Sequence, residues 1–178
     1  MSIAEIFHAI QQTEAGTAFR ESALVYPIIL STHLTCIAIF GGMILLTNLR
    51  ILGLAMVDTP VSQLYLALRP WKRVGFCIMV FCGICLAGSE ADKYYPNPIF
   101  WTKLTLLFTI FLHYLVFRRD VYSNPKALDA GIPRVARIAA ITSIVLWLGV
   151  VTAGRWIAYW DAPNQARAPI MQAIDGQR

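Results

Sequence analysis

Four long apolar segments alternate with short polar ones along the chain. They cover about residues 23–46, 71–88, 99–117 and 138–159. Roughly 20 apolar residues in a helix cross the hydrocarbon core of a bilayer, and most helix-breaking residues fall between these segments. The pattern therefore predicts four transmembrane helices. Asn97 and Pro98 suit the N-cap and the first turn of the third one.

Two shorter amphipathic segments flank the first span. The apolar residues within positions 1–20 recur at helical spacing, which predicts one helix on the membrane surface that ends near Gly16. After the first span, Thr59 and Pro60 predict the start of a short interfacial helix that is separate from the second span. The two apolar stripes consist of Ile3, Ile6, Phe7 and Ile10, and of Val61, Leu64, Tyr65 and Leu68. Residues 161–178 form a polar C-terminal tail.

The composition indicates an integral membrane protein. Hydrophobic residues make up 57% of the 178 residues and charged residues 14%, whereas soluble domains carry about 25% charged residues. A soluble domain of this length cannot bury so many apolar side chains, so part of the surface must face lipid. We therefore expect an all-α fold, an integral membrane four-helix bundle over residues 21–160 that follows an amphipathic surface helix.

Charge is distributed unequally between the two sides of the predicted bundle. The loops after the first and third spans carry a net charge of +6, and the opposite side carries −1, which together give the total of +5. By the positive-inside rule, the loops face the cytoplasm and both termini face the periplasm of a bacterial inner membrane. Membrane topology thus accounts for the charge, and nucleic-acid binding is not indicated. The basic loop residues are Arg50, Arg69, Lys72, Arg73, Arg118, Arg119, Lys126, Arg134 and Arg137.

Ionisable side chains within spans are energetically costly and are candidates for function. His33 falls near the middle of the first span, His113 falls deeper in the third, and Arg155 lies near the outer end of the fourth. Two histidines on two helices of a bundle can supply both axial ligands of a b-type haem, with Arg155 facing a propionate. Alternatively, His33 bonds a hydroxyl or carbonyl of a neighbouring helix, His113 lies near the inner interface, and Arg155 extends to the membrane surface or pairs with an acid. The candidate acids are Glu21, Glu90 and Asp92.

Other motifs point to packing rather than to catalysis. All four cysteines fall within spans, and the pair Cys82 and Cys85 lies in an uninterrupted apolar helix, so we interpret these residues as small packing side chains. The remaining cysteines are Cys36 and Cys77. The sequence contains no phosphate-binding glycine loop, zinc-protease motif or nucleophile elbow, which disfavours a self-contained enzyme.

Several short motifs occur along the chain: Tyr26-Pro27, His33-Leu34, Gly41-Gly42, Asn48-Leu49-Arg50, Arg69-Pro70-Trp71, Tyr94-Tyr95 and Gly154-Arg155-Trp156. With these motifs, the chain resembles a family of small uncharacterised four-span bacterial membrane proteins from about residue 20 to residue 160. His33 and Arg155 match the family pattern. Asn48 replaces an acidic residue, His113 replaces an asparagine, and Arg118 stands where a histidine is common. The resemblance implies the architecture, which is similar in outline to small four-helix membrane b-type cytochromes, but it implies no activity.

Three functional hypotheses follow from these observations. The first is a membrane subunit or anchor that binds other membrane subunits or copies of itself. The second is a haem b electron-transfer subunit that exchanges electrons with a quinone or an external redox partner. The third is a small-molecule or lipid-binding membrane protein with a polar cavity between the spans. Candidate lining residues for such a cavity are Thr32, Thr35, Thr102, Thr105 and Thr109.

Overall fold

The computed structural model describes residues 3–118, 121 and 123–175, with only the backbone described at positions 4, 15 and 161–175. The helices are α1 Ile3–Gln11, α2 Glu14–Glu21, α3 Val25–Leu52, α4 Val61–Ser89, α5 Ala91–Tyr94, α6 Pro98–Phe117 and α7 Arg134–Asp175, with a 3₁₀ helix at Pro125–Leu128. Four helical segments are long and apolar enough to cross a membrane, namely α3, α4, α6 and Arg134–Trp160 of α7. The described residues contain no strand, which confirms the predicted all-α membrane bundle.

The spans form two antiparallel hairpins. Helix α3 packs along α4, and α6 packs along α7, while contacts between α3 and α7 join the two hairpins. Helices α4 and α6 do not pack closely along their backbones in the described chain. We call the gap between them the α4–α6 seam. One end of the bundle carries α1, α2 and α5 and is termed the N-terminal end; the other carries the 3₁₀ helix and is termed the loop end.

The most tightly packed core lies at the loop end. It brings together side chains of α3, α4, α7 and the loop before α7: Ile51, Val61, Val121, Leu128, Ala136, Ala139 and Ala140. Ala136 and Ala139 have no solvent-accessible surface. Small side chains let helices approach closely in a membrane, so this alanine face positions α7 against its neighbours.

The start of α4 differs from the prediction. The helix runs from Val61 to Ser89 with Pro70 inside it, so the prediction of a separate interfacial helix is wrong. Val61 and Leu64 are buried at the loop end, and their stripe packs inward instead of lying on lipid. Proline is tolerated inside membrane helices because neighbouring groups satisfy the freed backbone carbonyl.

The N-terminal segment also differs from the prediction. It forms two helices, because the side chain of Thr13 accepts a hydrogen bond from the backbone N–H of Gly16 at 3.1 Å and caps α2. The predicted helix end at Gly16 is therefore wrong. Phe7 of α1 packs against Tyr95 and Trp101, with ring centroids 5.3 and 6.0 Å away, so α1 covers the N-terminal end of the bundle.

The termini of the spans follow the sequence closely. Asn97 caps α6 by accepting a hydrogen bond from the N–H of Ile99 at 2.9 Å, and Pro98 occupies the first turn; both assignments are confirmed. Gly53 ends α3 in the left-handed conformation, with φ of 76°, where glycine carries no steric cost. The helical backbone of α7 continues into the predicted polar tail as far as Asp175.

Asp129 links the loop before α7 to the start of α4, and this link predicts a pH dependence. Its carboxylate accepts a hydrogen bond from the N–H of Ser62 at 3.0 Å, and bonds from the side chain and backbone of Ser62 hold the pKa of Asp129 below its ordinary value of 3.8. A carboxyl whose pKa is lowered on folding stabilises the protein above its unfolded pKa, and this stabilisation is lost as the pH falls through the folded pKa.

We therefore expect Asp129→Asn to lower the thermal midpoint at neutral pH and to match the unsubstituted protein once the pH has fallen below the folded pKa of Asp129. Thermal unfolding in detergent across this pH range measures the difference. A difference that stays constant down to the lowest pH would show that the charge of Asp129 does not stabilise the fold.

Candidate functional site

His33 lies at the interface between α3 and α4. Its Nδ1 is 3.0 Å from the carbonyl oxygen of Met79, and a carbonyl can only accept, so Nδ1 carries the proton. In the neutral ring, Nε2 is then left as an acceptor. The imidazole lies against Gly83, where a Cβ would stand 3.2 Å from its Cε1. The glycine therefore provides the space in which this half-buried ring sits.

His113 lies in a different environment. It is buried at the loop end, its Nε2 donates to the carbonyl of Ala139 on α7 at 3.1 Å, and its ring packs on Phe117 with centroids 4.7 Å apart. A polar side chain that bonds the backbone of a neighbouring helix stabilises helix association in a membrane. His113 thus joins α6 to α7.

The two histidines are not brought together. His33 comes eight residues after the start of α3 and His113 fifteen residues after the start of α6, so their depths differ by about 10 Å at 1.5 Å per residue. Each imidazole bonds a different helix. Because two axial ligands must point at the same iron, this pair does not fit a bis-histidine haem. The haem hypothesis stays a prediction that these contacts do not support.

In the described contacts, Arg155 bonds neither histidine. Its guanidinium donates to the hydroxyl of Tyr159 at 3.1 Å and lies 5.1 Å from the centre of that ring, on an exposed face of α7. One of the acids predicted as a partner, Glu90, instead bonds Lys93 and Tyr94. The arginine therefore binds an aromatic side chain on its own helix, at the interfacial depth where tyrosine is common.

Lys103 is a polar residue that the sequence reasoning missed. Its Nζ lies 3.7 Å from the position that a Cβ on Gly154 would take, so the side chain packs on the backbone of α7 and is only partly exposed. Its charge also acts on the imidazole of His33 across the bundle. In the charge count from the sequence, Lys103 is one of the basic residues on the side of the bundle that carries −1. A signal was present, however: α6 contains no acidic residue that could neutralise it.

Four residues, one from each span, lie at a similar depth. His33 of α3, Gly83 of α4, Lys103 of α6 and Gly154 of α7 all fall about 8 to 12 Å from the ends of their membrane-spanning segments at the N-terminal end of the bundle, where the segment in α7 ends at Trp160. We call these four residues the polar layer. Two of them provide nitrogen atoms, and the other two lack side chains. The polar layer therefore combines hydrogen-bonding groups with local space inside an apolar bundle.

Apolar side chains lead from the polar layer along the α4–α6 seam. On α4, Phe76 and Val80 precede Gly83 at helical spacing and are 51% and 38% exposed. On α6, Phe111 follows Lys103 by eight residues on the same face and is 55% exposed. These exposed side chains make the membrane-facing surface near the polar layer apolar.

Some of the threonines predicted as cavity lining have another role. Thr102, Thr105 and Thr109 donate their hydroxyls to carbonyls four residues earlier on α6, at 2.9, 3.0 and 2.8 Å. Their side chains are exposed on the outside of the helix. They satisfy their own polar groups in the way threonine commonly does in helices, and they face away from the bundle interior.

A buried hydrogen bond between spans was also missed by the sequence reasoning. Asn48 of α3 donates to the hydroxyl of Ser143 on α7 at 2.9 Å, and both residues are buried. Interhelical bonds of this kind stabilise membrane proteins by about 0.6 kcal/mol on average. The bond fixes the contact between the two hairpins on the side opposite the α4–α6 seam.

The cysteines are free thiols, and Cys82 is buried while Cys77 is exposed. Among the residues whose positions are described, no three His, Cys, Asp or Glu side chains converge as metal ligands do. No curated protein and no solved structure matches the chain. A family model matches residues 20–160, and the chain belongs to this family of unknown function, DUF6644.

Proposed function

We propose that the protein is a subunit of a membrane assembly and associates laterally with further copies of itself through α6. The observation that carries this proposal is the set of exposed threonines on α6, Thr102, Thr105 and Thr109, which we call the threonine edge. Within the described part of the chain, α7 is the only span on which α6 packs closely, and 6% of the most apolar stretch of α6 is buried.

The threonine edge suits contact with another helix better than contact with lipid alone. Lipid tails solvate leucine as well as a protein does, so association in a membrane depends on close packing of small residues. Thr105 and Thr109 are one turn apart, and their hydroxyls are already bonded within α6. No polar group is therefore left unsatisfied when two such edges meet. Phe108 and Val116 beside the edge are 60% and 68% exposed and can pack around the contact.

We also propose the orientation of the subunit, with the loop end in the cytoplasm and the N-terminal end in the periplasm of a bacterial inner membrane. The charges of +6 and −1 on the two sides support this orientation. We expect alkaline phosphatase joined after Asp129 to be inactive, because this enzyme folds only outside the cytoplasm, and the same enzyme joined after Trp160 to be active. The reverse pattern of activity would invert the topology.

Self-association is tested by the mass of the purified protein in lipid nanodiscs or mild detergent. We expect more than one chain per particle, and we expect Thr105→Leu with Thr109→Leu to give single chains, because bulky side chains prevent close approach of the helices. Thr35→Leu is the matched control, since Thr35 is exposed on a different span, and this variant should assemble normally. Single chains in the unsubstituted protein would overturn the proposal.

A further inference from the structure

We infer that the polar layer binds the carboxylate headgroup of an amphiphile of the fatty-acid class, whose apolar chain lies in the α4–α6 seam. This inference is independent of self-association, because the threonine edge faces away from the polar layer. It rests on a cation without an acidic partner, an imidazole with a free acceptor, and an apolar surface near both.

Lys103 supplies the positive charge of the proposed binding site. Within the described contacts, no carboxylate bonds its ammonium group, and α6 supplies no acid. The group packs against Gly154 inside the bundle instead of pairing at the surface. An ammonium in an apolar environment is costly unless an anion or a hydrogen-bond acceptor compensates it. A ligand that carries one negative charge compensates this single cation.

His33 supplies a hydrogen-bond acceptor to the proposed binding site. With its Nδ1 proton donated to Met79, the neutral ring presents an acceptor at Nε2. A carboxyl group has two oxygens, one for each of these residues. In its protonated form, it donates O–H to Nε2 and accepts from Lys103 at the other oxygen. When the proton moves to Nε2, the carboxylate accepts from both residues, and the proton is conserved between ligand and imidazole.

The α4–α6 seam accommodates the apolar chain of the proposed ligand. From the polar layer, the seam runs toward the loop end between exposed apolar side chains, including Phe76 and Phe111. Further along, Tyr65 of α4 and Tyr114 of α6 are close enough to interact electrostatically. Because α4 and α6 do not pack closely on each other, we expect the chain of the ligand to enter laterally from the bilayer.

The probe for the test is cis-parinaric acid, a fluorescent fatty acid, titrated into protein that has been delipidated and placed in phosphatidylcholine nanodiscs. Energy transfer from tryptophan reports binding, and empty nanodiscs correct for partition into lipid. We expect Lys103→Met to weaken binding by about 10- to 100-fold, which corresponds to the loss of one hydrogen bond to a charged group. The methyl ester of the probe should bind the unsubstituted protein as weakly as the acid binds this variant.

The matched control is Lys72→Met. Lys72 is the other partly buried lysine of the spans, but it lies toward the loop end and donates to Thr47, so its replacement should leave probe affinity unchanged. Circular dichroism and the thermal midpoint verify that both variants fold. Equal affinity of acid and ester, or unchanged affinity in Lys103→Met, would overturn the inference. A neutral quinone that displaces the probe equally well from protein with and without Lys103 would also overturn it.

Discussion

Ala139→Leu should destabilise the protein by about 1–3 kcal/mol, because extra methylene groups in a fully packed core displace neighbouring side chains and backbone. Ala139 has no accessible surface, and its carbonyl accepts the hydrogen bond from His113. A larger side chain therefore disturbs both the alanine face of α7 and the link between α6 and α7.

Unfolding in mixed micelles with increasing denaturing detergent measures this change. Ala158→Leu is the control, since Ala158 is exposed on the same helix and its replacement should change the stability by less than about 0.5 kcal/mol. If both substitutions cost the same, the loop-end core does not determine the packing of α7.

Lys103→Met should have the opposite effect and stabilise the delipidated protein by about 1–2 kcal/mol. Moving a lysine charge into a membrane helix costs about 3 kcal/mol at the bilayer centre and less toward the ends, and Lys103 has no acidic partner among the described contacts. Methionine has a similar length and removes the charge.

The matched control for this prediction is Lys72→Met, measured by the same unfolding assay. The ammonium of Lys72 donates to the hydroxyl of Thr47 at 2.6 Å and lies 5.3 Å from the ring centre of Tyr65, so its removal should stabilise the protein less. If Lys103→Met is as unstable as a core substitution, the lysine is compensated and the polar layer holds no unpaired charge.

The sequence predicted the spans well because length and hydropathy decide whether a helix crosses a bilayer. It also located the start of α6, where Asn97 and Pro98 have local roles that do not depend on packing. The prediction of a separate interfacial helix before the second span was wrong. Proline commonly marks a helix boundary in a soluble protein, whereas α4 continues through Pro70.

The polar contacts were harder to predict for a different physical reason. In a soluble helix, the apolar face identifies the buried side, but a membrane helix is apolar on every face, so its rotation cannot be read from the pattern. The sequence therefore singled out His33 and His113 but not the helices that each one contacts. It also treated Lys103 only as one charge of the outer side, although the side chain packs against Gly154.

Oxidative cross-linking in native membranes tests most directly whether copies of the chain associate through α6. We expect Thr105→Cys to form a disulfide-linked dimer with an oxidant, because symmetry-related residues at a close helix contact bring the Cα atoms within about 7 Å. The unsubstituted protein with its exposed Cys77, and Thr35→Cys, should remain monomeric on denaturing gels. Failure of Thr105→Cys to cross-link, or equal cross-linking of Thr35→Cys, would contradict assembly through the threonine edge.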